Sequence, residues 1–257
     1  TAAACTSAIA AARTGAPSVL LASPDVHLGG LTTGGIMHAD SANTSTIGGI
    51  TLEFFQRVLA VEQAKLHASN AGGVPNLHPG SPSQVGEPWL YESHVAEAVL
   101  EAMLVEANVT LLRGLLGIAS ISKEGTKIRS VTTISGDVVV GSVWIDGSYE
   151  GDLAYFAGAE MTWGRESKAA YNETGAGRQP ESLAFHVDPF WANGSVIPHI
   201  SDEPMVPVGE ADRRIEVYDF RLCITNSPGN RVPFTKPPSY DPSEWELWRR
   251  LYANAPP

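Results

Sequence analysis

The sequence predicts an α/β fold in which a helix feeds a parallel strand and an antiparallel β-meander follows later in the chain. Three observations predict it. Thr1 to Ala12 are almost all small residues and are followed by Arg13, Thr14 and Gly15, the basic last turn and terminal glycine with which helices close. Ser18 to Ala22 is a short, nearly continuous apolar run of the kind found in buried parallel strands. Four β-like runs then succeed one another at Val109–Arg113, Leu115–Ser122, Lys127–Ile134 and Val138–Ile145. Glu124-Gly125 and Gly136-Asp137 are the expected turns between the last three, and the final run should end at Asp146-Gly147.

The elements between follow from spacing. Gly29-Gly30, Gly34-Gly35 and Gly48-Gly49 make a glycine-rich stretch after the first strand. Ile50, Phe54 and Val58, with Leu59 beside them, then share one face of a helix running to about His67. From Ser69 to Trp89 glycines interleave with Pro75, Pro79, Pro82 and Pro88, which reads as loop. Ser93 is placed to cap a helix burying Val95, Val99 and Met103, with Asn108 closing it at a buried end. A helix feeding a parallel strand calls for a strand before it, so the chain is expected to begin inside a domain. Beyond about Arg165 periodicity fades. The exception is Arg214–Thr225, where Ile215, Val217, Asp219, Arg221 and Cys223 alternate with Glu216, Tyr218, Phe220, Leu222 and Ile224, suiting a strand over a polar pocket.

Composition narrows the function classes. The 257 residues are 43% hydrophobic and 18% charged, a globular rather than disordered balance. No apolar run reaches the length of a membrane span. With 28 Asp and Glu against 17 Lys and Arg the net charge is −11, which argues against a nucleic-acid partner. Cys5 and Cys223 lack the spacing of a zinc or dithiol motif and read as small buried thiols, and no metal site is expected. Four Asn-x-Ser/Thr triplets begin at Asn43, Asn108, Asn172 and Asn193. Nine asparagines would supply about one or two by chance, so the excess favours a secreted protein over a cytoplasmic one.

Hydrolytic and phosphate-loop motifs are missing. There is no Gly-x-Ser-x-Gly elbow and no Gly-Lys-Ser/Thr loop. His94 and Glu97 lack the second histidine of a zinc helix, because position 98 is Ala. What remains is dinucleotide logic. A helix whose first turn holds only small residues lets a pyrophosphate approach free N–H groups at the positive helix end. Ser23-Pro24-Asp25 stands where the next strand would meet an adenosine ribose. Close packing alone explains an alanine-rich helix equally well.

Thr1 to Cys5 through Arg13, Val19-Leu20-Leu21 and His27 to Gly35 resemble the start of the FAD-dependent oxidoreductase family related to the glutathione-reductase class. Some members of that family are labelled xanthan lyase-like. Ile47-Gly48-Gly49, Glu92 to Glu97, Ile145 to Leu153, Gly164-Arg165-Glu166, Phe220 to Cys223 and Asn230 to Phe234 agree in order. The resemblance implies a Rossmann-like, three-layer FAD/NAD(P)-binding domain with an antiparallel meander over 1–165 and part of a substrate-side domain over 166–257. Thr1, Ala2, Ala3 and Ala4 would be the back half of the FAD turn, with Ala4 in place of its last glycine. Ser23 and Pro24 would stand at the ribose, with serine where the family usually has a carboxylate. His27, Leu28, Gly29 and Gly30 would lay backbone along the cofactor, Leu116 would face the adenine, and Asp146 and Gly147 would close on it. The family's first strand and its C-terminal cofactor segment have no counterpart in these residues.

The activity so implied is hydride transfer between a small organic substrate and FAD, which needs a proton acceptor and an orienting clamp. His38, Asp40, His94, Arg165, Glu166 and Arg221 are the polar candidates. Two other classes stay open: a polysaccharide lyase, and a nucleotide-binding module without turnover, to which Ser23 lends weight.

Overall fold

The computed structural model describes residues 1–36, 43–68, 91–115, 117–180, 187–201, 203–215 and 228–254. They divide into two compact units, one over Thr1–Met161 and the other from Thr162 onward.

The first unit begins with helix α1, Ala2–Arg13. Its small side chains let Cys5, Ala8 and Ile9 sink fully into the core. Thr14 caps its end and Gly15 turns left-handed at φ 98°, so that the Gly15 and Ala16 amides reach back to the carbonyls of Ala12 and Ala11. This is the Schellman closure that Arg13-Thr14-Gly15 predicts. Strand β1, Leu20–Ser23, pairs in parallel with β2, Thr110–Arg113, setting Leu21 against Leu111 and Ser23 against Arg113. Between them run α2, Gly49–Ala68, and α3, Ser93–Glu106. The ion pairs Arg57–Glu106 (2.8 Å) and Lys65–Glu92 (3.0 Å) set these two helices antiparallel. Phe54 and Val58 of α2 and Val95, Val99 and Met103 of α3 are buried as the helical spacing requires.

Two expectations at the ends of α3 are corrected. Ser93 is the first helical residue rather than the cap. Glu92 holds the cap position without a side-chain bond, and its amide donates to Glu62 of α2 (2.9 Å). Asn108 closes the helix with φ 56°, the amides of Asn108 and Val109 returning to Val105 and Leu104. It lies at an exposed end, not a buried one.

The meander is present as β3, Ile118–Glu124, β4, Lys127–Thr133, and β5, Val138–Val140, in that spatial order. Its hairpin turns carry Gly125 and Gly136 at φ 60° and 90°, conformations that glycine adopts without strain. The last strand is shorter than its apolar run suggests. It ends at Val140, and Gly141 to Gly151 follow without strand pairing. Val143 and Ile145 are exposed there. An apolar run becomes a strand only where another strand takes its backbone groups, and among the described residues none does so here. Trp144 instead anchors the segment by donating its indole N–H to the Ile128 and Gly141 carbonyls.

The second unit has little regular structure: the short helix α5, Lys168–Tyr171, and α6, Glu246–Asn254. Helix α4, Asp152–Phe156, closes the first unit. The alternating run 214–225 falls almost wholly outside the described residues, as does Cys223. Cys5 is a free, buried thiol, and burial raises its pKa.

Candidate functional site

Two glycine-bearing segments of the first unit meet at the N-terminus of α1. The Thr1 hydroxyl accepts from the Ala4 amide (3.2 Å) and donates to the Gly147 carbonyl, so one side chain caps the helix and ties it to the segment after the meander. A Cβ on Gly147 would lie 2.7 Å from the Cα and 2.9 Å from the amide nitrogen of Ala4. Only glycine allows that approach. Gly30, left-handed at φ 57°, also comes close: a Cβ there would stand 3.1 Å from the Thr1 Cα and 2.5 Å from the Tyr149 hydroxyl. Tyr149 accepts the Leu31 amide (2.8 Å), so the loop after Gly147 also holds the turn after Gly30.

A second set of bonds fixes the His27–Gly30 turn from beneath. Glu97 of α3 accepts the Leu28 amide (2.9 Å) and pairs with His27 Nδ1 (2.9 Å). Thr33, fully buried, donates to the Leu28 carbonyl and meets His27 Nε2 at 2.9 Å. Tyr91 donates to the Thr32 carbonyl (3.0 Å). The turn is therefore braced by α3 and by its own hydroxyls. Its charge balance is also legible: the first turn of α1 carries no acidic residue. Among the described residues no acceptor takes the Ala2 or Ala3 amide. Such a helix end favours an anion, through the oriented peptide dipoles and the unclaimed donors.

The predicted binding residues thus separate. Thr1, Ala2, Ala3, Ala4, His27, Leu28, Gly29, Gly30 and Gly147 lie on segments that these bonds and close approaches tie together. Ser23 is half-buried at the end of β1, with Pro24 and Asp25 exposed beyond it. Arg113, opposite Ser23, holds this corner by donating to the Val26 carbonyl (3.1 Å) while pairing with Glu101 (2.7 Å). Asp146 has a structural use. Its carboxylate accepts from the Ser148 amide and hydroxyl (2.9 and 2.7 Å) and from the Ala154 amide (3.0 Å). Burial pushes its pKa up, and these bonds outweigh that and leave it lowered. Leu116 lies outside the described residues.

A diphosphate-bearing cofactor fits this cluster: an acid-free helix end, two unclaimed amides, and backbone brought together where side chains would clash. The family model for FAD dependent oxidoreductase matches residues 1–256. The chain belongs to the FAD-dependent oxidoreductase family. Its cofactor is FAD, and its general class is oxidoreductase. No curated protein matches the chain.

Of the candidates for chemistry in this family member, His38, Asp40 and Arg221 lie outside the described residues. His94 is exposed at the start of α3, 3.3 Å from Glu92 and 3.2 Å from the Lys65 ammonium. Arg165, in the second unit, forms a two-pronged pair with Asp212, and their backbones bond in both directions (2.9 and 3.1 Å). Each lowers or raises the other's pKa toward the charged form. Glu166 is exposed. No group of three or more possible metal ligands exists among the described residues, and no helix there is long and apolar enough to cross a membrane.

Glu97 and Tyr149 were missed as site residues. Glu97 carried a signal: an acid flanked by Val95, Ala96, Val99 and Leu100, all buried, must have a partner. Tyr149 carried none, because its partner is a backbone amide 118 residues away.

Proposed function

We propose that Thr1–Ala4, Gly29-Gly30 and Gly147 seat the diphosphate region of FAD, and that the protein transfers hydride between a small organic substrate and the flavin. The observation that carries this reading is the meeting of Gly30 and Gly147 with the uncluttered N-terminus of α1. Bound FAD supplies the hydride acceptor. The chain's part is to hold the anion with the Ala2 and Ala3 amides, to keep side chains out of the approach, and to fix the His27–Gly30 turn through Glu97. Residues 1–165 form the cofactor side in this reading, and 166–257 belong to the substrate side.

The intact protein should show the two visible absorption bands of a flavin and release FAD on denaturation, and a substrate should bleach those bands without oxygen. Gly147→Val should abolish FAD retention. A colourless protein that takes up no added FAD would sink the assignment of these residues.

A further inference from the structure

Each of the four Asn-x-Ser/Thr triplets is displayed on the surface: Asn43, Asn108, Asn172 and Asn193 are all exposed. We propose that the chain is N-glycosylated on the side-chain amide nitrogen of these four asparagines. Glycan transfer needs the asparagine and a hydroxyl two residues on, and the finished fold must leave the sugar in water. The local geometry meets these needs in two ways. Asn43 accepts from the Ser45 amide (3.1 Å) and hydroxyl (2.7 Å), and Asn193 accepts from the Ser195 amide (3.0 Å) and hydroxyl (2.8 Å). In both, the hydroxyl of the triplet lies on the asparagine oxygen. These bonds draw charge from the amide and use its oxygen, not the nitrogen to be modified. Asn108 and Asn172 close α3 and α5 in left-handed backbone at φ 56° and 58°. That conformation suits asparagine and would not be altered by a group added to its side-chain nitrogen. Both units carry sites, so no core has to accommodate a sugar.

The donor is an oligosaccharide carried on a lipid pyrophosphate. The anomeric carbon forms a C–N bond to Nδ2, its C–O bond to phosphate breaks, the lipid pyrophosphate leaves, and the amide gives up one proton. Nothing is oxidised or reduced. The modification places the protein on the secretory route.

The test uses native protein purified from its source. Peptides are released after treatment with an amidase that removes N-glycans in heavy-oxygen water, which turns each occupied asparagine into labelled aspartate. Labelled aspartate at positions 43, 108, 172 and 193, absent from a sample treated without the amidase, is the expected result. An unmodified asparagine peptide overturns the assignment at that position, and unmodified peptides at all four overturn the proposal. As a second readout, Ser195→Ala in the secreted full chain should remove the label at position 193 alone. Peptide mass does not depend on how well that variant folds.

Discussion

The two units are held together by different physics. In the first, Ile9, Val58, Leu100, Met103 and Leu104 are fully buried in one apolar cluster shared by three helices, and the parallel strands pack against it. In the second, Ile197 is the only hydrophobic residue found fully buried among the described residues, and charged side chains join segments distant in sequence. Arg165 meets Asp212 across 47 residues of sequence, and Arg250 reaches both Glu246 and the Asp188 and Phe190 carbonyls. Arg213 lies 4.6 Å over the Trp163 ring and Arg250 5.4 Å over Trp191. An apolar core tolerates many sequences of similar volume, whereas paired charges depend on individual partners. The first unit should therefore lose stability through volume, and the second through charge.

Met103→Ala makes the sharpest case. Its side chain is 0% exposed, so truncation should cost about 2 to 5 kcal/mol, read as a lower midpoint in denaturant. Trp248→Ala, in the second unit and 49% exposed, should cost about 1 kcal/mol or less despite removing a larger side chain. Equal losses would erase the distinction. Gly147→Ala comes next, at about 1 to 3 kcal/mol, because the new methyl presses on Ala4 backbone rather than on a movable side chain. It should also release FAD, which Met103→Ala leaves bound wherever the protein is folded.

The same contrast explains what could be read in advance. Helix α1 with its glycine closure, the buried face of α2 and α3 and the turns at Gly125 and Gly136 were legible because local spacing and local backbone chemistry decide them. The run ending at Ile145 misled, since a β-branched apolar run records a preference for strand and cannot supply the neighbouring strand that completes one. Ser93 misled because a capping residue type was present, but the helix starts one residue earlier, with the Val95 and Ala96 amides both bonded to the Glu92 carbonyl. At the site, the small-residue helix end and Gly29-Gly30 stood out, while the bonds that tie them to Gly147, Tyr149 and Glu97 join residues 69 to 146 positions apart. The Arg165–Asp212 pair was hidden in the same way.

Glu97→Gln probes a charged brace inside the apolar unit. The substitution keeps an acceptor for the Leu28 amide but removes the charge facing His27, so the expected loss is about 1 to 2 kcal/mol. The effect should fall on FAD affinity more than on the unfolding midpoint, because the brace serves the turn rather than the core. A variant that binds FAD normally would show that the His27–Gly30 turn needs no charge from Glu97.

The mildest perturbation is a change of pH, and its largest single carboxyl shift lies in the second unit. Hydrogen bonds from Arg249 and then Arg250 hold the Glu246 carboxyl down to about 2, well below its usual 4.5. A carboxyl lowered on folding stabilises the folded form above its unfolded pKa, and that stabilisation is lost as pH falls toward the folded value. Unfolding measured by tryptophan fluorescence should therefore be insensitive to this group at neutral pH and should grow easier between about pH 4.5 and 2. Trp245 and Trp248 flank the clamp in sequence and report on it directly. Glu246→Gln should weaken this acid dependence, with the lowered Asp212 carboxyl supplying part of what remains, while leaving the first unit's core unaffected. An unchanged acid profile in that variant would mean that the Arg249–Glu246–Arg250 cluster contributes nothing to the second unit, leaving the Arg165–Asp212 pair as the charge that holds it.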